Sequence, residues 1–233
     1  RREGFGMVAG PVSGWRGAWD FDCPDTYRAF VAAAEASGLG DVVRRIATGY
    51  CDQTPAGGRR WIVQYPEGVT WRDATLARRP GGAGEPSVKT LIECPTFAIL
   101  APSQGPTHPS GRPYVRVSGT FHTIAAVTAD EHADLVALAR TFEAMPHPQP
   151  GDSRTTHPSG DRPGDDFNRR ASWPEILEPA GWRHVDNRGD VSSWRRPGKS
   201  RGVSATTNHG GTDLLYVFTS STPFQPDRSY TKF

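Results

Sequence analysis

Long apolar runs are missing from this chain. No hydrophobic stretch in its 233 residues approaches the ~18 needed for a membrane-spanning helix, so no membrane partner is expected. Cysteine is scarce. Cys23, Cys51 and Cys94 are the whole complement and form no paired spacing. That excludes a disulfide framework, and it excludes a thiolate zinc site anywhere beyond residue 94; reduced thiols in a cytoplasmic setting are expected. An excess of charge of either sign is also lacking, with 27 Lys and Arg against 25 Asp and Glu. A polybasic nucleic-acid binder is thereby excluded, and any such contact must come from local clustering. The chain opens on Arg1 rather than methionine, directly before a strand-like segment, and is expected to be a fragment.

Turn formers are abundant instead. Twenty-six glycines and 21 prolines predict many turns and at least one linker, and a mean hydropathy of −0.56 fits a modest core. "FGMVAG" and "WDFD" read as short strands, followed by a helix with Tyr27, Phe30, Val31 and Ala34 at helical spacing. "YCDQTPAGGRRWIVQY" reads as a hairpin, and "KTLIEC", "FAILAP" and "YVRVSG" as further strands. Thr128 and Glu131 form a capping box opening a helix. Short strands with helices at the ends predict an α+β domain over residues 1–145. Residues 146–166, rich in proline, glycine and charge, predict a linker. Residues 167–233 start with a second capping box at Ser172 and Glu175. They continue as a small, β-rich, metal-free module with Trp182, Trp194, Tyr216 and Phe218 as its aromatic core.

Candidate chemistry starts at Asp20 and Asp22. Residues two apart on a strand share a face, so Trp19 and Phe21 would line an apolar face and the two carboxylates an acidic one. A frayed strand end, or Asp22 capping the next helix, is the plainer reading. With a third acid from another strand, the pair can hold two Mg2+ or Mn2+ ions, as phosphoryl transfer requires. Glu93 is the acid in an apolar strand-like run that can complete the set. Gly57 and Gly58 after Thr54 form a tight turn delivering Arg59 and Arg60, either as a surface hairpin or as a close-approach site where arginine grips a phosphate. Ser103 and His108 lie in the polar loop "PSQGPTHPSGRPY".

Taken in order, the D-x-D strand, the T-P-x-G-G turn, "LIE" and "APSxxxxHPSGRPY" resemble the prim-pol domain of the archaeo-eukaryotic primase superfamily, as found in replication proteins of actinobacterial phages and mobile elements. "GDDFNRRASWPEILEPAGW", "WRRPGKSRGVSATT" and "LLYVFTSSTPF" resemble the segment that follows it there. The resemblance implies a primase/RRM-like core with a mixed or antiparallel sheet and flanking helices. The implied activity is template-directed transfer from nucleoside triphosphates on a single-stranded DNA template, with a helicase domain in the intact protein. It assigns Asp20, Asp22 and Glu93 to a two-metal site, with no zinc. Thr54, Gly57, Gly58, Arg60, Ser103 and His108 would bind the nucleotide. Two positions depart from the pattern: Arg60 stands where the family has a histidine, and Pro95 replaces a glycine-containing turn after Glu93. The alternative is therefore a catalytically impaired component that binds nucleotide or single-stranded DNA; a metal-dependent nuclease would use the same acids. Arg195, Arg196, Lys199 and Arg201 form a basic cluster beside aromatics, suited to phosphate neutralisation and base stacking, or simply a solvated charge run.

Overall fold

Alternation of aromatic and acidic residues around Asp20 decides which way the first sheet faces. Strand β2 (Arg16–Phe21) buries Trp19 and Phe21 completely. Both rings pack on Phe30 of helix α1 (Pro24–Ala36), at 6.4 and 5.0 Å between centroids. Trp61 of β4 (Arg59–Gln64) joins them from the position directly opposite Trp19. Helix α3 (Ala129–Arg140) closes this face, with His132 edge-on to Trp19. Helix α2 (Gly40–Gly49) packs beside α1 and buries Val42, Val43 and Ile46.

The computed structural model describes residues 4–69, 72–146 and 163–233. It is a mixed α+β protein with several antiparallel sheets and few helices, and it divides into two compact units, Arg1–Glu143 and Ala144–Phe233. The remaining strands of the first unit are β1 (Phe5–Val8), β3 (Tyr50–Gln53), β5 (Ala74–Pro80), β6 (Val88–Cys94), β7 (Phe97–Leu100), β8 (Val115–Gly119) and the short β9 (Ala125–Ala126). The main sheet runs β5-β6-β2-β4-β3-β8, antiparallel throughout, with β9 added parallel to β4. β1 and β7 pair separately and cover part of the face opposite the helices, where Met7, Ala98 and Leu100 pack on Ala18, Tyr50 and Ile62.

Most strands and the Thr128–Glu131 capping box follow the sequence reading. β5 was not anticipated, because Arg78 and Arg79 break its apolar pattern; β6 supplies its pairing.

The second unit is a five-stranded antiparallel meander in chain order: β10 (Arg183–Arg188), β11 (Val191–Arg195), β12 (Ala205–Thr207), β13 (Leu215–Val217) and β14 (Arg228–Tyr230). Helices α4 (Pro163–Arg170) and α5 (Trp173–Leu177) precede it, the latter opened by the Ser172–Glu175 capping box. The core holds Trp173, Leu177, Trp182, Trp194, Ala205, Leu215 and Val217. Tyr216 and Phe218 are a correction to the expected aromatic core. β13 turns Leu215 and Val217 inward, so strand alternation sends Tyr216 to the other face, where its ring meets Phe218 at 5.2 Å. Most of the predicted linker falls on 147–162, outside the described residues; its last four residues, 163–166, begin α4 instead.

Candidate functional site

Register brings the charged residues together. Thr75 of β5 faces Glu93 of β6, Glu93 faces Asp20 of β2, and Asp20 faces Arg60 of β4. Arg60 in turn faces Asp52 of β3, and Asp52 faces Arg116 of β8. Residues directly opposite on antiparallel strands point to the same face. A single line of side chains therefore crosses six strands on the face turned away from the helices. Its charges run minus, minus, plus, minus, plus from Glu93 to Arg116.

Two of the pairings are saturated. Asp52 is fully buried; Oδ1 accepts from Arg116 Nε at 2.7 Å, and Oδ2 accepts from the Ala101 amide at 2.9 Å and the Tyr50 hydroxyl at 3.2 Å. Arg116 also donates to the Tyr50 hydroxyl and lies 3.7 Å from the centre of that ring. Burial, then the adjacent Asp52, lifts the Tyr50 phenol well above its ordinary range, so it stays a donor. Arg60 pairs with Asp20 Oδ2 and donates to the Ile99 carbonyl, with its side chain only 9% exposed.

The exception is Glu93 beside Asp20, a like-charge pair directly opposite on adjacent strands. Such pairs destabilise a sheet unless something positive lies between them. Burial is the main reason the Asp20 carboxyl is pushed up, outweighing the pull of Arg60, with Asp22 adding to the rise. Burial again comes first for Glu93, then Asp20; Asp73 and Asp22 reinforce it. Asp20 Oδ1 is buried with no hydrogen-bond partner among the described residues. A buried acceptor left unpaired costs about 1–3 kcal/mol, and more when charged. Asp22 lies just past the end of β2, its amide bonded to the Leu91 carbonyl, and its carboxylate is held by Lys89 at 2.7 Å.

Asp20 and Glu93 thus face each other on adjacent interior strands, with Asp22 just beyond, and the three do not form a metal cage. Among the described residues no three acidic, histidine or cysteine side chains surround an ion position, because Arg60 and Lys89 each hold one of the acids. Asp20 and Glu93 are oxygen ligands of the type Mg2+ and Mn2+ take, but the Asp20 oxygen left unpartnered is buried.

The predicted nucleotide residues divide. Thr54 and Gly57 form the turn, the Gly57 amide bonding the Thr54 carbonyl at 2.8 Å. Gly57 needs its left-handed φ of 94°, and a Cβ at Gly58 would lie 2.0 Å from the Phe21 carbonyl oxygen. The two glycines let this turn pass directly over the backbone that carries Asp22. His108 is linked to Arg60 through Tyr114: the guanidinium lies 5.5 Å from the ring centre and the imidazole packs edge-on at 6.5 Å. His108 Nδ1 shares a hydrogen bond with the Ser110 hydroxyl at 2.8 Å. Ser103 has a structural use. It is 1% exposed, and its hydroxyl accepts from the Phe5 amide and donates to the Phe5 carbonyl, tying the loop to β1.

Three residues of the basic cluster bond carbonyls of their own turn. Arg195 donates to the carbonyls of Gly202 and Ser200, Lys199 to Val203, and Arg196 to Pro197. Arg201 is half-buried in the same loop. The heads of Arg195, Arg196 and Lys199 brace their own turn.

Asp52, Arg116, Lys89 and Tyr114 were not singled out from the sequence. The signal for Asp52 was available: it alternates with Tyr50 in "YCDQ" as Asp20 does with Ala18, an acid on the inner phase of a buried strand. A concavity of about 310 Å3 lined by Arg72, Cys94, His132 and Arg140 holds none of the predicted residues. Among the described residues, no helix is long and apolar enough to cross a membrane. No known family model matches the chain, and no curated protein matches it.

Proposed function

We propose that the first unit transfers nucleotides from nucleoside triphosphates to a growing strand on a single-stranded DNA template, as a primase/polymerase with a prim-pol-like core. One observation carries this: Asp20 and Glu93 are directly opposite each other on one face, with Asp22 two residues further along. In such a transfer a 3′-hydroxyl oxygen forms a bond to the α-phosphorus while the bond to the bridging oxygen breaks. Pyrophosphate leaves and the hydroxyl proton passes to water. A divalent cation bound there supplies charge neutralisation at the phosphates. The chain's own work is placement. Asp20 and Glu93 fix the charge centre, and Gly57 and Gly58 let the phosphates approach the backbone. Arg60 and His108, joined through Tyr114, place a permanent cation and an imidazole on the triphosphate's side.

A second reading is favoured by the Arg60–Asp20 ion pair. A guanidinium already seated on a catalytic acid suits a component that binds nucleotide or DNA without turning it over. Incorporation of labelled nucleotide on a single-stranded template, dependent on Mg2+ or Mn2+ and lost in Asp20→Asn and Glu93→Gln, supports the polymerase. Retained nucleotide binding with no incorporation by the intact protein sinks it in favour of the binder.

A further inference from the structure

On the helix side of the main sheet, α3 and β5 enclose a concavity that the line of charges does not reach. His132, Val136 and Arg140 recur every four residues along α3 and form one wall. Ala74 and Leu76 of β5 form the other, with Cys94 of β6 directly opposite Ala74. Arg72, just before β5, completes the lining. The volume is about 310 Å3, at the lower end of the range for small-molecule sites. Arg78 of β5 bonds Glu143, beyond the end of α3, at 3.3 Å and ties the two walls together. Glu93 and Cys94 are consecutive on β6 and point to opposite faces, so the concavity and the acid pair lie on opposite sides of the sheet.

The lining carries two arginines and an imidazole and no acid. Neighbouring acids are engaged elsewhere: Asp73 accepts from the Thr96 amide, and Glu143 accepts from Arg78. An arginine does not lose its proton in a protein, and each guanidinium offers five N–H donors in a fork that matches phosphate. His132 is fixed in place. Its Nδ1 shares a hydrogen bond with the Tyr65 hydroxyl at 3.0 Å, and that hydroxyl accepts from the Trp19 indole at 2.9 Å. The imidazole packs edge-on against both rings. Burial lowers its pKa, which keeps the ring neutral around pH 7 and leaves Arg72 and Arg140 as the permanent charges of the lining. Cys94 is 3% exposed and burial holds its thiol protonated, so it serves as apolar wall with Leu76 and Val136.

We propose that this concavity binds a small phosphate monoester, with its head held by Arg72 and Arg140 and a compact apolar body against Leu76, Val136 and Cys94. The site is separate from the acid pair and independent of nucleotide transfer. Guanidinium forks take carboxylate and phosphate alike, so charge sets the preference. A phosphate monoester carries close to two negative charges at neutral pH and matches two permanent cations, whereas a carboxylate leaves one uncompensated. The apolar walls favour the ester over inorganic phosphate, which has no apolar surface to bury against them.

The test is titration of the full chain with phenyl phosphate, followed by calorimetry and by the nuclear magnetic resonance signals of the histidine rings. The His132 signals are identified by their loss in His132→Gln. The expected result is one saturable site per chain whose filling moves the His132 signals. Affinity should fall about tenfold or more in Arg72→Gln and in Arg140→Gln, the loss of a charge-assisted contact. Arg72 is exposed, so its replacement should leave the fold intact. Inorganic phosphate and benzoate should each bind about tenfold more weakly than phenyl phosphate. No saturable site, a site whose filling leaves His132 unmoved, or one that survives both arginine replacements overturns the proposal. So does a site lost in His108→Ala, which would put the phosphate with Arg60 and Tyr114. Benzoate binding as tightly as phenyl phosphate overturns the phosphate assignment.

Discussion

The two units each gather arginines and lysines, but they use them in opposite ways. In the first, Arg60 and Arg116 reach across strands to buried aspartates 40 and 64 residues away in sequence. In the second, Arg195 and Lys199 bond carbonyls of their own turn, four to seven residues away. A cation tied to a distant acid fixes register and shapes an electrostatic site. One tied to its own backbone shapes a loop. The difference teaches that a charged cluster cannot be assigned to ligand binding from composition; what its head groups already bond decides.

The comparison breaks most easily at Asp52. Removing a fully buried acid that satisfies Arg116, Tyr50 and Ala101 leaves uncompensated partners, so Asp52→Ala should cost about 3–5 kcal/mol in urea denaturation. A loss under about 1 kcal/mol would mean the line of charges does not hold the sheet.

Glu93→Gln should act in the opposite sense on fold and on activity. Losing a cation ligand at the reacting phosphates should lower nucleotide incorporation about 100- to 1,000-fold, equivalent to roughly 3–4 kcal/mol. The same change removes a like-charge neighbour of Asp20 and should stabilise the metal-free protein by about 0.2–1 kcal/mol. A variant that is both inactive and less stable would show that the pair is a structural contact.

That gain should depend on pH, with a definite sign. Glu93's carboxyl is raised above its ordinary 4.5, first by burial and then by Asp20. The folded protein therefore binds this proton more tightly than the unfolded chain. Its stability falls as pH rises from about 4.5 through the folded value, then levels off. The glutamine variant does not titrate there, so its advantage should grow over that window. An advantage that shrinks with rising pH would reverse the assignment.

The smallest effects belong to the second unit. Lys199→Ala and Arg195→Ala should each lower stability by about 1 kcal/mol through lost bonds to loop carbonyls. Each should also change the slope of single-stranded DNA affinity against salt by well under ~1, the change expected per lost phosphate contact. A full unit change on either would show that these heads leave their carbonyls to bind DNA.

Much of the architecture was legible because it is local. Thr128–Glu131 and Ser172–Glu175 announce two helices within four residues, and the Trp19, Asp20, Phe21, Asp22 alternation announces an acidic face. Aromatic size misled at Tyr216 and Phe218, because Leu215 and Val217 own the core phase of the strand. Ser103 read as a polar loop residue, and its hydroxyl bonds the backbone of a strand 98 residues earlier in sequence.

The sequence by itself determined most of the strands and helices, because the periods of strand and helix are written in neighbouring residues, and it missed β5 and the start of α4 where arginines or a proline-rich run hid the pattern. Only the tertiary structure decided that Glu93 lies against Asp20, that Arg60 occupies one of its oxygens, and that Asp52 and Arg116 complete the line. Strand order and register are set by packing between segments tens of residues apart, and no local pattern carries that information.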